Sequence, residues 1–277
     1  MRQTRMMSLL FAAGATVLFA ATAALKLHAS VPDAQRPQLG HASHSPHIYK
    51  PSRLADADIL PKTASRDLSI LYYLGIARGH LIASIALAQQ GKLDQSVLHS
   101  RHALDEAWLE LSTLLATEDA DALRPKFEAV NESIALKSPL SSIASAHEDA
   151  QALIERIAAA AYSAAGERLN STMDLVLLLL KQAEAEYEEA WDNFRLKNRL
   201  EYQDGFGFIA VANDELQDVY HLLQARNPQA ATQIKNTMEH VVRAWPSHEP
   251  PATPVMSKPV LRALVTAVEL YAKQLSD

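Results

Sequence analysis

From about residue 65 onward, apolar positions recur at helical spacing, interrupted by short polar or proline-marked breaks. The first such segment, 65–90, is apolar around its whole circumference, with Leu68, Ile70, Leu71, Leu74, Ile76, Leu81, Ile82, Ile85 and Leu87. A helix of that kind belongs in the centre of a bundle. Gly75 and Gly79, one turn apart, let a neighbour come close, and Gly91 stops the helix. The second segment, 93–117, places Leu93, Val97, Leu104, Trp108, Leu111 and Leu115 on one stripe. A shorter segment, 121–136, is broken by Pro125, and a helix over 138–165 ends at Gly166. A long helix over 171–199 opens with the cap-like Ser171-Thr172-Met173-Asp174. The next, 201–226, is entered through Asp204-Gly205-Phe206-Gly207, and Asn227-Pro228 restarts the chain into a helix reaching about 244. After a proline-rich loop at 246–259, a final amphipathic helix fills 258–275. No alternating run with turn chemistry signals a sheet. The pattern predicts an all-α fold, an antiparallel bundle of about six to eight helices over 64–277. A four-plus-four arrangement split near Gly166 is the other possibility.

The chain before this domain has a different character. Residues 1–29 combine a basic start (Arg2, Arg5) with an uncharged, mostly apolar run over 6–25 and a small-residue exit at Ala21-Thr22-Ala23. That is the form of a secretory signal. The run is also long enough to remain as an N-terminal anchor, with membrane contact confined to residues 6–25. Either reading puts the domain outside the cytoplasm, and a periplasmic location is expected. Residues 30–63 carry Pro32, Pro37, Pro46, Pro51 and Pro61 and read as a flexible tether. Within it His41, His44 and His47 recur at every third residue, as a loose metal-capturing tail or a plain soluble linker would.

Composition narrows the chemistry. The chain has no cysteine, which removes disulfides, thiolate metal sites and thiol catalysis. Its formal charge of −6 becomes −9 once Arg2, Arg5 and Lys26 leave with a signal. That balance argues against nucleic acid as a partner. Zinc-protease, nucleophile-elbow, phosphate-loop and dinucleotide motifs are all missing, so no enzyme signature is present.

Histidines and carboxylates gather around the first helical turn. His80 lies about eleven residues before Gly91-Lys92, so folding there brings it level with His102 and Ala103 on the second helix. His80 shares a face with Tyr73, Ile76, Ala77 and Leu87, and burial gives its imidazole a need for partners or a metal. His99, His102 and Glu106 fall within about 60° of one another on an ideal helix. Their stripe, however, lies opposite the apolar one, which predicts a solvated face for His99 and Glu106. Glu201 and Asp204, in a polar cluster beside Gly205 and Gly207, are a second source of carboxylates, or else cap a helix junction.

Gly79-His80 resembles the start of the G-x-H-x-x-E signature of imelysin-type periplasmic proteins, a family linked to iron handling. The glutamate is absent and the glycine spacing differs, so no residue role transfers. Residues 86–96 followed by Leu104 resemble the turn of one tetratricopeptide unit, a family of stacked helical pairs that bind peptides. No echo at a period of ~34 residues follows.

These observations converge on an exported helical-bundle binding protein. The expected site holds a divalent transition metal (Zn, Cu or Fe) with His80 as anchor, His102 facing it, and His99, Glu106 and Glu201 as further ligands. The alternatives are a metal-free structural or interaction bundle docking an envelope protein, and a carrier of a small apolar ligand lying beside His80 and Tyr73.

Overall fold

The computed structural model describes residues 59–164 and 167–275. The expected signal or anchor and the His41-His44-His47 segment lie outside these residues. Among them the all-α bundle is present, and its helices are α1 (Arg66–Gln89), α2 (Leu93–His102), a π-helical turn (Ala103–Ala107), α3 (Trp108–Leu114), α4 (Thr117–Ala135), α5 (Leu140–Ala164), α6 (Arg168–Ala190), α7 (Arg199–Arg226), α8 (Pro228–Val242) and α9 (Lys258–Lys273).

Helix α1 is the axis. Ser65 caps it by accepting a hydrogen bond from the Leu68 N–H, and it packs against α2, α5, α6 and α7. By length and composition α1 could cross a bilayer, but here its apolar circumference is consumed by protein contacts. The chain then reverses at Gly91, whose φ of 74° lies in the left-handed region. Two serines lock the resulting hairpin. Ser96 Oγ donates to the Ser84 carbonyl at 2.8 Å, and Ser84 Oγ donates to the Ser96 carbonyl at 3.0 Å. Small side chains with internal partners let the two backbones approach, and the exchange fixes which residue of α2 sits opposite His80.

On the other flank, α1 crosses α7 where two glycines meet. A Cβ on Gly207 would collide with the Gly79 carbonyl, and a Cβ on Gly79 would collide with the Phe208 ring. The close approach is available to glycine alone, and it brings His80, next to Gly79, and Asp204, one turn before Gly207, onto one crossing. Helices α8 and α9 cover α6 and α7 from outside. Charged residues late in α6 tie α9 down at the surface: Arg262 pairs with Glu184 at 2.9 Å and Glu188 at 2.8 Å.

The element boundaries depart from expectation in four places. Pro125 does not break its helix; α4 runs through it. Pro125 and Asp121 are exposed, so water can satisfy the carbonyl that loses its partner, while Leu123, Phe127, Val130 and Ile134 anchor the opposite face. Ser171-Thr172 is not a cap, because α6 already begins at Arg168 and buries Thr172. Nor does α6 reach Arg199. It ends at Ala190 in a minimal hairpin, strand β1 (Trp191–Asp192) pairing with β2 (Arg195–Leu196) around Asn193 at φ 52°. Two-residue strands are too short to leave an alternating pattern. The polar residues near Gly205 are not a junction either; Asn198 is the cap and they lie inside α7.

The two glycine positions separate packing from backbone strain. Gly207→Ala is expected to cost more than the ~1–3 kcal/mol of ordinary overpacking, because the obstacle is backbone. Gly91→Ala, with open space around the new Cβ, is expected to cost only the ~1–2 kcal/mol of a left-handed residue. Urea unfolding of the two variants beside the parent chain checks both, and equal losses would contradict the close-approach argument.

Candidate metal centre

The buried side of α2 is not its leucine stripe. Ser96, His99, Ser100 and His102 are buried, whereas Leu93, Val97 and Leu104 are only half-buried. The expectation of a wet face for His99 and Glu106 is therefore overturned. The cause is α7, which lays Gln203 and Asp204 over that face, so polar groups more than a hundred residues apart satisfy one another. Past His102 the helix widens into the π-helical turn. This looser turn keeps Ala103 and Ala107 on the buried side and holds the Glu106 side chain, 6% exposed, next to His80. Such π turns are enriched at functional sites.

At the centre stands Asp204. His80 Nδ1 and His99 Nδ1 each lie 2.7 Å from its Oδ1, and His102 Nδ1 lies 3.1 Å from its Oδ2. All four residues are at most 1% exposed. The His80 and His102 rings meet edge-on with centroids 5.2 Å apart, as the hairpin geometry predicted, and Phe208 closes on His80 from α7 at 5.1 Å. One potential ligand atom from each of His80, His99, His102 and Asp204 lies within 4.8 Å of the others.

The far sides of the His99 and His80 rings are also engaged. His99 Nε2 is 3.0 Å from Gln203 Oε1, and Gln203 Nε2 donates in turn to Gln95 Oε1 at 3.2 Å. His80 Nε2 lies 3.2 Å from Glu106 Oε2, an ion-pair contact without hydrogen-bond alignment. Glu106 also approaches His102 Nδ1, at 3.8 Å. Glu106 thus stands behind the imidazoles rather than among the converging atoms. Glu201 is buried one helical turn before Asp204 and faces Glu186 of α6, outside the four-residue cluster. Tyr73, on the His80 face of α1, meets Tyr72 edge-on.

The convergence found here includes Asp204, which the sequence offered only as an outside possibility. Its spacing from Glu201, three residues on one helix face, was the available signal. What hid its role was the pairing of α7 with α2.

Electrostatics make the cluster a tightly bound charge set. Burial alone would lower the His80 pKa, but Asp204 and Glu106 outweigh it and raise the group to about 10. Burial opposes protonated His102 as well, and Asp204 again prevails. For Asp204 burial favours the neutral acid, yet the three imidazoles hold its carboxyl well below the usual range. In the metal-free state the centre therefore stores protons, and a cation entering it must displace them.

This fixes a pH dependence for the metal-free protein. The His80 pKa is raised in the fold, so its contribution is complete below its ordinary value of 6.5 and is lost as pH climbs through about 10. The Asp204 pKa is depressed, so its contribution is complete above its ordinary value of 3.8 and is lost as pH falls further. Thermal melts of chelated protein are expected to show the highest Tm between those limits and a decline from pH 7 to 10. Asp204→Asn, which leaves buried imidazolium without its counter-charge, is expected to cost ~3–5 kcal/mol and to flatten the alkaline decline.

Residues 163–277 match the family model described as the iron permease-associated 4-helix bundle domain. That span holds α6, α7, α8 and α9, and with them Glu186, Glu201, Gln203 and Asp204; His80, His99, His102 and Glu106 lie outside it. No curated protein and no solved structure matches the chain. Over its last 115 of 277 residues, then, the protein is similar to a helical domain associated with iron permeases.

Proposed function

We propose that this protein is an exported binding protein of the cell envelope that holds a divalent transition metal ion with His80, His99, His102 and Asp204. The observation that carries the proposal is the convergence of three imidazole nitrogens and one carboxylate, from three helices, in the buried interior. Metal–nitrogen bonds of ~2.1 Å set neighbouring ligand atoms ~3.4 Å apart in a tetrahedral site. Separations within 4.8 Å meet that requirement with side-chain adjustments of an ångström or so. Gln203 behind His99 supplies an outer hydrogen-bonding group, and Glu106 behind His80 an outer carboxylate, of the kind that orients ligating imidazoles. Three imidazoles and a carboxylate suit Zn, Cu(II) or Fe, and the lack of cysteine disfavours Cu(I).

Binding rather than catalysis is the role proposed. The likeness of the α6–α9 segment to an iron permease-associated domain supports a part in metal handling, and the apolar run over residues 6–25 supports export, by a cleaved signal or a retained anchor.

A second reading rests on the 2.7 Å contacts, which are hydrogen-bond lengths. In it the imidazoles donate Nδ1–H groups to Asp204 as a metal-free lock for a bundle that binds an envelope partner.

Metal analysis of protein purified without a histidine tag separates the two. Retained metal is expected, and adding Zn2+, Cu2+ or Fe2+ to the chelated protein is expected to raise Tm. At an ion concentration of 100 Kd the stabilisation is about 2.7 kcal/mol. His99→Ala and Asp204→Asn are expected to abolish the rise. A chain that retains no metal and melts unchanged with all three ions is a structural lock.

A further inference from the structure

Beside the imidazole cluster, α6 and α7 bury two more carboxyl groups that the proposed site does not use. Glu186 is 2% exposed and Glu201 is 7% exposed, and their carboxyls lie against each other. One oxygen of each is held by a neutral donor. Gln182 Nε2 donates to Glu186 Oε1 at 2.6 Å and is itself fixed by Tyr72, whose hydroxyl donates to Gln182 Oε1 at 2.8 Å. Asn198 Nδ2 donates to Glu201 Oε1 at 3.0 Å.

The remaining oxygen carries the argument. Glu186 Oε2 is fully buried, and among the described residues it meets no donor other than the Glu201 carboxyl itself. A buried carboxyl oxygen without a donor is costly, and a second carboxyl pressed against it adds repulsion. The surrounding charges do not relieve this. Asp204 and Glu106 act on Glu201 as further anions, with His102 as the opposing cation, and no lysine or arginine enters the pair's environment as a main influence. Burial and the neighbouring carboxylates accordingly push both groups upward. Neutral donors fix part of this carboxyl pair in place and leave a concentrated negative potential in the interior.

The arrangement across helices has the logic of a two-metal bundle site. In such sites a Glu-x-x-His pair on each of two helices meets a single Glu from each of two others; this chain has no Glu-x-x-His pair but repeats the three-residue spacing with other ligands. Here α2 offers His99 and His102, α7 offers Glu201 and Asp204, α1 offers His80 and α6 offers Glu186. Glu106, in contact with His80 and His102, adds a further negative charge that acts on Glu201.

We propose that the centre is dinuclear, with a second divalent cation bound by Glu186 and Glu201. This rests on the metal-binding reading of the imidazole cluster and extends it. All-oxygen ligation makes the second subsite suited to Mn2+ or Fe2+.

The test is the stoichiometry of full-length, tag-free protein. Chelated protein is loaded anaerobically with Mn2+ or Fe2+, passed through gel filtration and assayed for metal and protein. Two ions per chain are expected for the parent. Glu186→Gln and Glu201→Gln, isosteric changes that remove like charge from the interior, are expected to keep the fold and bind one. His99→Ala is expected to lose the other ion. One ion in the parent and one in both glutamine variants would overturn the inference while leaving the imidazole site standing; the carboxyl pair would then hold a proton. Two ions in parent and glutamine variants alike would overturn it as well, placing the second ion elsewhere. No ion in any of them would remove the metal-binding reading itself.

Discussion

A carboxylate buried among helices has to be neutralised within hydrogen-bonding distance, and Asp204 meets that requirement with imidazoles drawn from two other helices. Much of the architecture serves this contact. The Gly79–Gly207 crossing lets α7 descend far enough onto α1 for Asp204 to reach His80. The serine exchange in the first hairpin sets α2 so that His99 and His102 arrive from the opposite side. Substituting either glycine would separate the charges before it disturbed the wider apolar core.

Burying this many polar groups is unfavourable by itself, since a buried ion pair often does no more than balance its desolvation. The surrounding bundle supplies the compensation. Trp191, Tyr187, Tyr202, Phe127 and Phe208 are among the largest fully buried side chains, and α1 adds aliphatic contacts on every side. Each full burial of such a side chain contributes ~1.5–3 kcal/mol. The fold can therefore carry a polar interior layer that local preference would reject. Persistence of such a layer in a marginally stable molecule is the usual mark of a functional site.

The helices were legible from apolar periodicity because each is long and its breaks carry glycine, proline or asparagine. The central place of α1 followed from its all-round apolarity, and the facing of His80 and His102 followed from counting out from Gly91. Other features resisted the same reasoning. Periodicity ranks the faces of a helix by apolarity, so it assigned α2's histidines to water; their burial depends on Asp204, a partner that no local window contains. The π-helical turn leaves no compositional trace, and it changes where Glu106 lies. Pro125 misled because its consequence depends on exposure of the neighbouring backbone. Glu186 was hidden within a charge-rich stretch of α6, where only the packing of α7 distinguishes it from exposed neighbours such as Glu189.

The contacts between the imidazoles and Asp204 close chain separations of 124, 105 and 102 residues. The early hairpin contributes the histidines, and the later helices contribute most of the carboxylates. Helices and the hairpin form from local contacts, but this centre waits for closure of a loop about a hundred residues long, which is slow in chain-entropy terms. The centre is thus a late checkpoint in folding: its completion reports that the N-terminal hairpin has docked correctly on the C-terminal helices.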